Sequence, residues 1–318
     1  MIAWQLWRAL HTPFVAHPLY HLRGMDPLPE DSERLIAVME RNAKLLLVLG
    51  IVGIVAATIS YGPSALLFII IGIPIGIFML TVPAVLLLAG SVYGTITVMA
   101  IALTISRERY QGRFELLGAT PYGLAGATWA LGSIAVQKNI LLKRLREALT
   151  PLYMISIFCA LMLLFLFTIP VISDPQANEA RRTASDVITV LLLIFFAIID
   201  LMQSVNISSL IGMIVATDAE NTSFAQGRAL VAFLVVHLTN YMMIVALCVL
   251  ALPMLGIQSG PVYYGLCLFT AYAIREGVTV LLWWRLIKTL DADHAELNTI
   301  VRIGVQWQGR QQRTIPHI

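Results

Sequence analysis

Apolar residues run unbroken for long stretches of this chain, and the polar and charged residues gather between the runs. Six runs stand out, at about 45–60, 82–105, 150–172, 187–216, 228–255 and 262–287. A hydrocarbon core about 30 Å thick needs about 20 apolar residues of helix, so these six are expected to span a membrane. A seventh run, 65–81, contains Pro74, is followed by Pro83 and is parted from the first run only by Ser60–Ser64. It reads either as a further span or as a re-entrant or interfacial segment.

The placement of Lys and Arg separates the two counts, because cytosolic loops carry their excess. Five fall in the N-terminal stretch through Lys44, seven in 106–149, and four in the tail after Arg285. None falls in 61–81, and 173–186 has only Arg181 and Arg182 among Asp174, Glu179 and Asp186. Six spans bring every basic segment to one side; seven would send 106–149 to the other. The expected fold is therefore an all-α polytopic membrane protein of about six spans with both termini cytosolic, a re-entrant or interfacial segment at 65–81 and cytosolic amphipathic helices. It divides into an N-terminal segment 1–44, a transmembrane domain 45–288 and a tail 289–318.

Composition supports the class. The chain of 318 residues is 58% hydrophobic and 12% charged, against about 25% charged in a soluble domain. A net charge of +3 without a dense basic run gives no nucleic-acid partner. Cys159, Cys248 and Cys267 all lie in apolar runs, so neither a disulfide framework nor a zinc site is expected. The first apolar run begins only at Leu45, so no cleavable targeting segment is expected. Before it, Trp4, Trp7 and Leu10 recur at helical spacing, and Ser32 leads into Glu33, Leu35, Ile36 and Met39. Both pieces read as interfacial anchors. Gly72 with Gly76, and Gly90 with Gly94, form small-xxx-small pairs that let helices approach closely.

Segment 106–149 carries three parts. Residues 107–117 read as one helix with Tyr110, Phe114 and Leu117 on one face and Glu108, Arg109 and Arg113 towards water, ended by Pro121. Residues 138–149 align Leu141, Leu145 and Leu149 beside Lys143, Arg144 and Arg146, a basic face suited to anionic lipid. Between them, 122–137 is rich in Gly and Ala and weakly apolar, compatible with an interfacial position.

Three charges fall deep inside the spans, away from their ends: Asp200, and Arg275 with Glu276. A charge at a helix centre is costly and turns to a partner, the bundle interior or water. Asp200 lies thirteen residues beyond Val187 and Arg275 thirteen beyond Val262, so equal rise per residue brings them to one depth. They form a candidate ion pair, either a clamp between helices or the lining of a translocation path. Glu276 needs another partner, and His237 and Asn240 on the fifth span are of suitable type.

No Gly-x-x-x-x-Gly-Lys-Ser/Thr loop, no His-Glu-x-x-His and no nucleophile–base spacing occurs. Asp291, Asp293, His294 and Glu296 suit a solubilising helix start better than a metal. Val301, Ile303, Val305 and Trp307 alternate with polar residues, as in a short strand or extended arm. The sequons at Asn206 and Asn221 lie in or beside the cytosolic side.

The stretch Arg107-Glu-Arg-Tyr-Gln-Gly-Arg-Phe-Glu-Leu-Leu-Gly-Ala-Thr-Pro121 resembles the Glu-Arg-Glu-x-Gly-Thr-x-Glu-Leu-Leu-x-x-Thr-Pro stretch that ABC-2-type exporter permeases carry after their second membrane helix. Glu108, Arg109, Gly112, Glu115, Leu116, Leu117, Thr120 and Pro121 fall on that pattern. Tyr110 stands where a second Glu is usual, and Arg113 where Thr is usual. The resemblance implies a non-enzymatic permease subunit in a bacterial plasma membrane. It implies docking of this segment on a separate ABC-type ATPase that carries the ATP, no cofactor on this chain, and pairing with itself or a similar permease. The alternative is a non-transporting scaffold or accessory subunit of the same fold, which the changes at Tyr110 and Arg113 and the polar-poor spans would suit.

Overall fold

The computed structural model describes residues 2–11, 73–118, 123–147, 149–150, 154, 178–219, 221–254, 256 and 261–291, which are helix and turn with no strand among them. The helices are α1 (Ile2–His11), α2 (Ile73–Tyr110), α3 (Arg113–Gly118), α4 (Gly123–Lys138), α5 (Asn178–Asp218), α6 (Thr222–Ala246) and α7 (Pro261–Thr289), with further helical turns over 140–147. The chain divides into two units, Met25–Val85 and the remainder, Met1–Gly24 with Leu86–Ile318. The described part of the smaller unit is the start of α2.

Four helices are long and apolar enough to cross a membrane: Leu88–Tyr110, Leu191–Asp218, Thr222–Met254 and Val262–Thr289. They match four of the six expected runs. The runs 45–60 and, apart from Thr150 and Met154, 150–172 lie outside the described residues, as do Cys159, the second N-terminal piece and the 301–307 arm. The boundary expected between 65–81 and 82–105 is absent, since α2 is one helix of 38 residues through Pro74 and Pro83. Pro74 sits in its first turn, where the missing N–H costs nothing.

Helix α5 forms the centre, touching α1, α4, α6 and α7. Its sequence explains why: Asp200, Gln203, Ser204, Asn206, Ser208 and Ser209 are all fully buried, and side chains this polar at span depth must face protein. The outer faces of α6 and α7 are the reverse, with Val231, Leu234, Leu238, Met242, Phe269 and Leu281 exposed. Asn221 opens α6 as its N-cap, its side chain accepting the Phe224 N–H at 2.7 Å. At the other end, α6 passes into a π-helical turn, Leu247–Ala251, just before Pro253. There the Leu252 N–H bonds the Leu247 carbonyl, so the Cys248 carbonyl would look to Pro253, which has no N–H to give. The Tyr263 hydroxyl of α7 donates to that carbonyl at 3.1 Å instead.

The first and middle segments both pack against protein. In helix α1, Ala3, Leu6, Ala9 and Leu10 are buried, the last three in a core with Ile105, Phe114, Leu210 and Leu286, although Trp4 remains exposed. Helix α4 is enclosed as well. Twelve consecutive residues of α4, Ala125–Val136, are buried on every side. Small side chains make this possible; a Cβ on Gly132 would strike the Met213 side chain. Trp129 meets Trp283 of α7 edge-on at 5.7 Å, and Thr128 and Ser133 donate to carbonyls of their own helix. In the turns after Asn139, the buried leucines are Leu142 and Leu149, with Leu141 and Leu145 only half-buried; Lys143, Arg144 and Arg146 are exposed.

Candidate functional site

The segment with the permease-like wording is not one helix. Its span ends at Tyr110, and Gly112 takes a left-handed conformation, φ +69°, before α3 begins. The Gly112 N–H closes the turn on the Arg109 carbonyl at 2.9 Å. Nothing lies within 4 Å of where a Cβ would stand, so glycine is required by its backbone and not by space. The break corrects the expected common face of Tyr110 and Phe114: Tyr110 is 76% exposed and Phe114 only 6%. Phe114 thus pins α3 to the core while Arg113, Glu115 and the 73%-exposed Leu116 point away.

Beside α3 lies an open cleft of about 410 Å³, walled by Arg109, Phe114 and Glu115 on one side and by the ends of α5 and α7, Asp218 and Leu290, on the other. Of the pattern residues, Arg109, Gly112 and Glu115 border this cleft. Glu108 is half-buried on the last turn of α2, and Leu116 and Leu117 lie on α3. Thr120 and Pro121 lie outside the described residues.

The second constellation is inside the bundle. Arg275 Nη2 lies 2.7 Å from Asp200 Oδ1, the pair that equal depth predicts, with the two side chains 1% and 0% exposed. Arg275 Nη1 donates to the Ser204 hydroxyl at 3.0 Å and the Asp200 carbonyl at 3.3 Å, and the guanidinium stands 4.8 Å over the Tyr241 ring. The Tyr241 hydroxyl donates to Asp200 Oδ1 at 2.9 Å. Gly90 of α2 lies against Asp200 Oδ2, leaving no room for a Cβ, and Gly94 likewise faces the Phe233 ring. The Gly90–Gly94 pair is therefore a close-packing seam, as its spacing suggests.

Glu276 and His237 do not meet as expected. His237 Nε2 is paired with the Ser91 hydroxyl at 2.7 Å, its ring stacked on Phe233 and edge-on to Tyr241. Glu276 instead accepts the backbone N–H groups of Ile2 and Ala3 through Oε1, at 2.6 and 3.3 Å, and the Tyr272 hydroxyl through Oε2 at 3.1 Å. Asn206 donates to the Ala3 carbonyl at 2.6 Å. A helix start has four N–H groups without intrahelical partners, and a half-buried carboxylate needs donors. Each removes the other's cost. Sequence reasoning missed Ile2, Ala3, Ser91, Ser204 and Tyr241. Tyr272 had a signal, the i,i+4 spacing to Glu276; a backbone donor from the far end of the chain had none.

At the other end of α1, His11 Nδ1 pairs with the Trp7 carbonyl at 2.9 Å. Burial pushes His11 below its usual value and Arg146 adds to this, against the raising effect of that carbonyl. Among the described residues no group of three or more His, Cys, Asp or Glu could hold a metal.

What the fold and these sites define is a helical protein with four helices long and apolar enough to cross a membrane. No family model, curated protein or solved structure matches the chain.

Proposed function

We propose that the chain is the membrane-spanning permease subunit of an ATP-driven exporter, six-spanned with both termini cytosolic in a bacterial plasma membrane. It pairs with itself or a similar permease. A separate ABC-type ATPase holds the ATP and docks on the segment after α2. The observation that carries this reading is the Gly112 break. It sets off a short helix whose Phe114 is an internal anchor and whose Arg113, Glu115 and Leu116 are offered outwards beside a charged cleft. A solvated helix end has no need of such a step, whereas a docking element needs both a rigid root and an outward face. Together with the order of residues from Glu108 to Pro121, this favours an ABC-type partner over a lipid surface.

Charge reversal at Arg109 and Glu115 together is the test. Co-purification of a nucleotide-hydrolysing subunit with the wild-type chain, and its loss from the double variant with membrane insertion intact, supports the reading. Retention of the complex by the double variant opposes it. The alternative, a scaffold or accessory subunit that moves no substrate, is favoured by the closure around Asp200 and Arg275, which suits a clamp better than a wetted path.

A further inference from the structure

Helix α1 occupies a groove between α5 and α7 and runs from Glu276 and Asn206 at its tip towards Phe114 and Leu290 at its foot. Its grip has two unlike parts. Along the shaft, Leu6 and Leu10 bury apolar surface against Leu210 and Leu286. At the tip the contacts are polar: the Glu276 carboxylate on the first two N–H groups, and the Asn206 amide on the Ala3 carbonyl.

Ten residues are too few for a helix to be stable alone. The helicity of α1 therefore depends on its seat, and its polar tip contacts are ones that water could replace. Without α1 above them, the wholly buried Asn206 and Gln203 and the partner of Gln203, the Tyr272 carbonyl beside Glu276, would line an open groove. This groove leads to Arg275, the next residue along α7 from Glu276, and so to the Asp200 pair.

We propose that α1 is a strap, seated by the Glu276 carboxylate, that seals the polar interior of the bundle from water. This goes beyond the permease reading and needs no partner to be true. Glu276 acts as a positioning residue: it holds the strap and touches no substrate. The charge matters as well as the acceptor, because a carboxylate at a helix start gains from the aligned peptide dipoles.

The test uses the full chain in proteoliposomes with Cys159→Ala, Cys248→Ala and Cys267→Ala, and a charged methanethiosulfonate reagent admitted to both faces. Ala3→Cys reports the strap and Gln203→Cys the interior beneath it; both residues are fully buried. With Glu276 present, both cysteines should react slowly. Glu276→Leu should speed both by at least about tenfold, the loss of one charge-assisted hydrogen bond, and Glu276→Gln should fall between. A lipid-facing Leu234→Cys should not change. Unchanged rates at both positions would overturn the proposal, as would a faster Ala3→Cys with a slow Gln203→Cys, since the strap would then seal nothing. Should Glu276→Leu fail to fold, deletion of residues 2–11 gives the same reading at Gln203→Cys: faster labelling supports the strap, and unchanged labelling refutes it.

Discussion

Asp200 and Arg275 are buried to the last per cent and held by Ser204, Tyr241 and the Gly90 backbone. Arg109, Arg113 and Glu115 stand on the surface around an open cleft, with one aromatic anchor, Phe114, behind them. Both are charged clusters in a chain poor in charge, yet their energetics differ. In the first, each charge exists only because its partner does, so the cluster sets how the helices are assembled. In the second, water already solvates the charges, so they contribute little to stability. Burial thus separates charge that sets architecture from charge that the fold does not need.

The largest effect should come from breaking the interior pair. Asp200→Asn or Arg275→Gln alone leaves an uncompensated buried charge and should cost about 3–5 kcal/mol, while the double change should recover much of it. Denaturation of the purified variants in detergent reads the cycle. Purely additive losses would mean that the two residues act independently, and would remove the clamp. Water in a path between them would shrink the single effects.

Two glycines sharpen the contrast at intermediate size. Gly90→Ala pushes a methyl into the Asp200 carboxylate and should cost about 1–3 kcal/mol through overpacking. Gly112→Ala meets open space and should cost about 1–2 kcal/mol, through its left-handed backbone alone. The first should disturb the Asp200–Arg275 pair and leave the cleft intact; the second should reorient α3 and leave the pair intact. If Gly112→Ala abolished the interior coupling as well, the two regions would not be separable.

The smallest effect concerns pH. Because burial lowers the His11 value, the folded chain binds this proton less readily than the unfolded chain does. The contribution of a neutral His11 is therefore complete above the ordinary value of about 6.5 and is lost as pH falls from there to the lowered folded value. Thermal unfolding should show a fall in midpoint below that pH which His11→Gln lessens. Equal falls in both chains would assign the effect elsewhere.

The sequence carries four of the six expected spans among the described residues because hydropathy is local, and it carries the Asp200–Arg275 pair because helix rise converts residue counts into depth. It carries much less of what surrounds them. Gly, Ala, Ser and Thr are only weakly apolar, so hydropathy does not reveal the burial of α4; that burial follows from close packing, which those same small residues permit. The seat of α1 depends on a contact between residues 2 and 276, too distant in sequence for any periodicity to reveal. By residue type His237 and Asn240 both suit Glu276, whereas register places His237 opposite Ser91. In segment 107–117 the helical stretches are legible, but the common face is not, since one left-handed glycine rotates everything after it.

In the proposed permease the exposed residues of α3 meet a protein and those of the spans meet lipid. Leu116 and Leu234 are both exposed leucines, at 73% and 48%, so burial alone does not distinguish them. A photo-crosslinking amino acid placed at each in native membranes does. Position 116 should capture a nucleotide-binding polypeptide in good yield and position 234 should capture lipid. Lipid adducts alone at both positions would rule out a protein docked on α3.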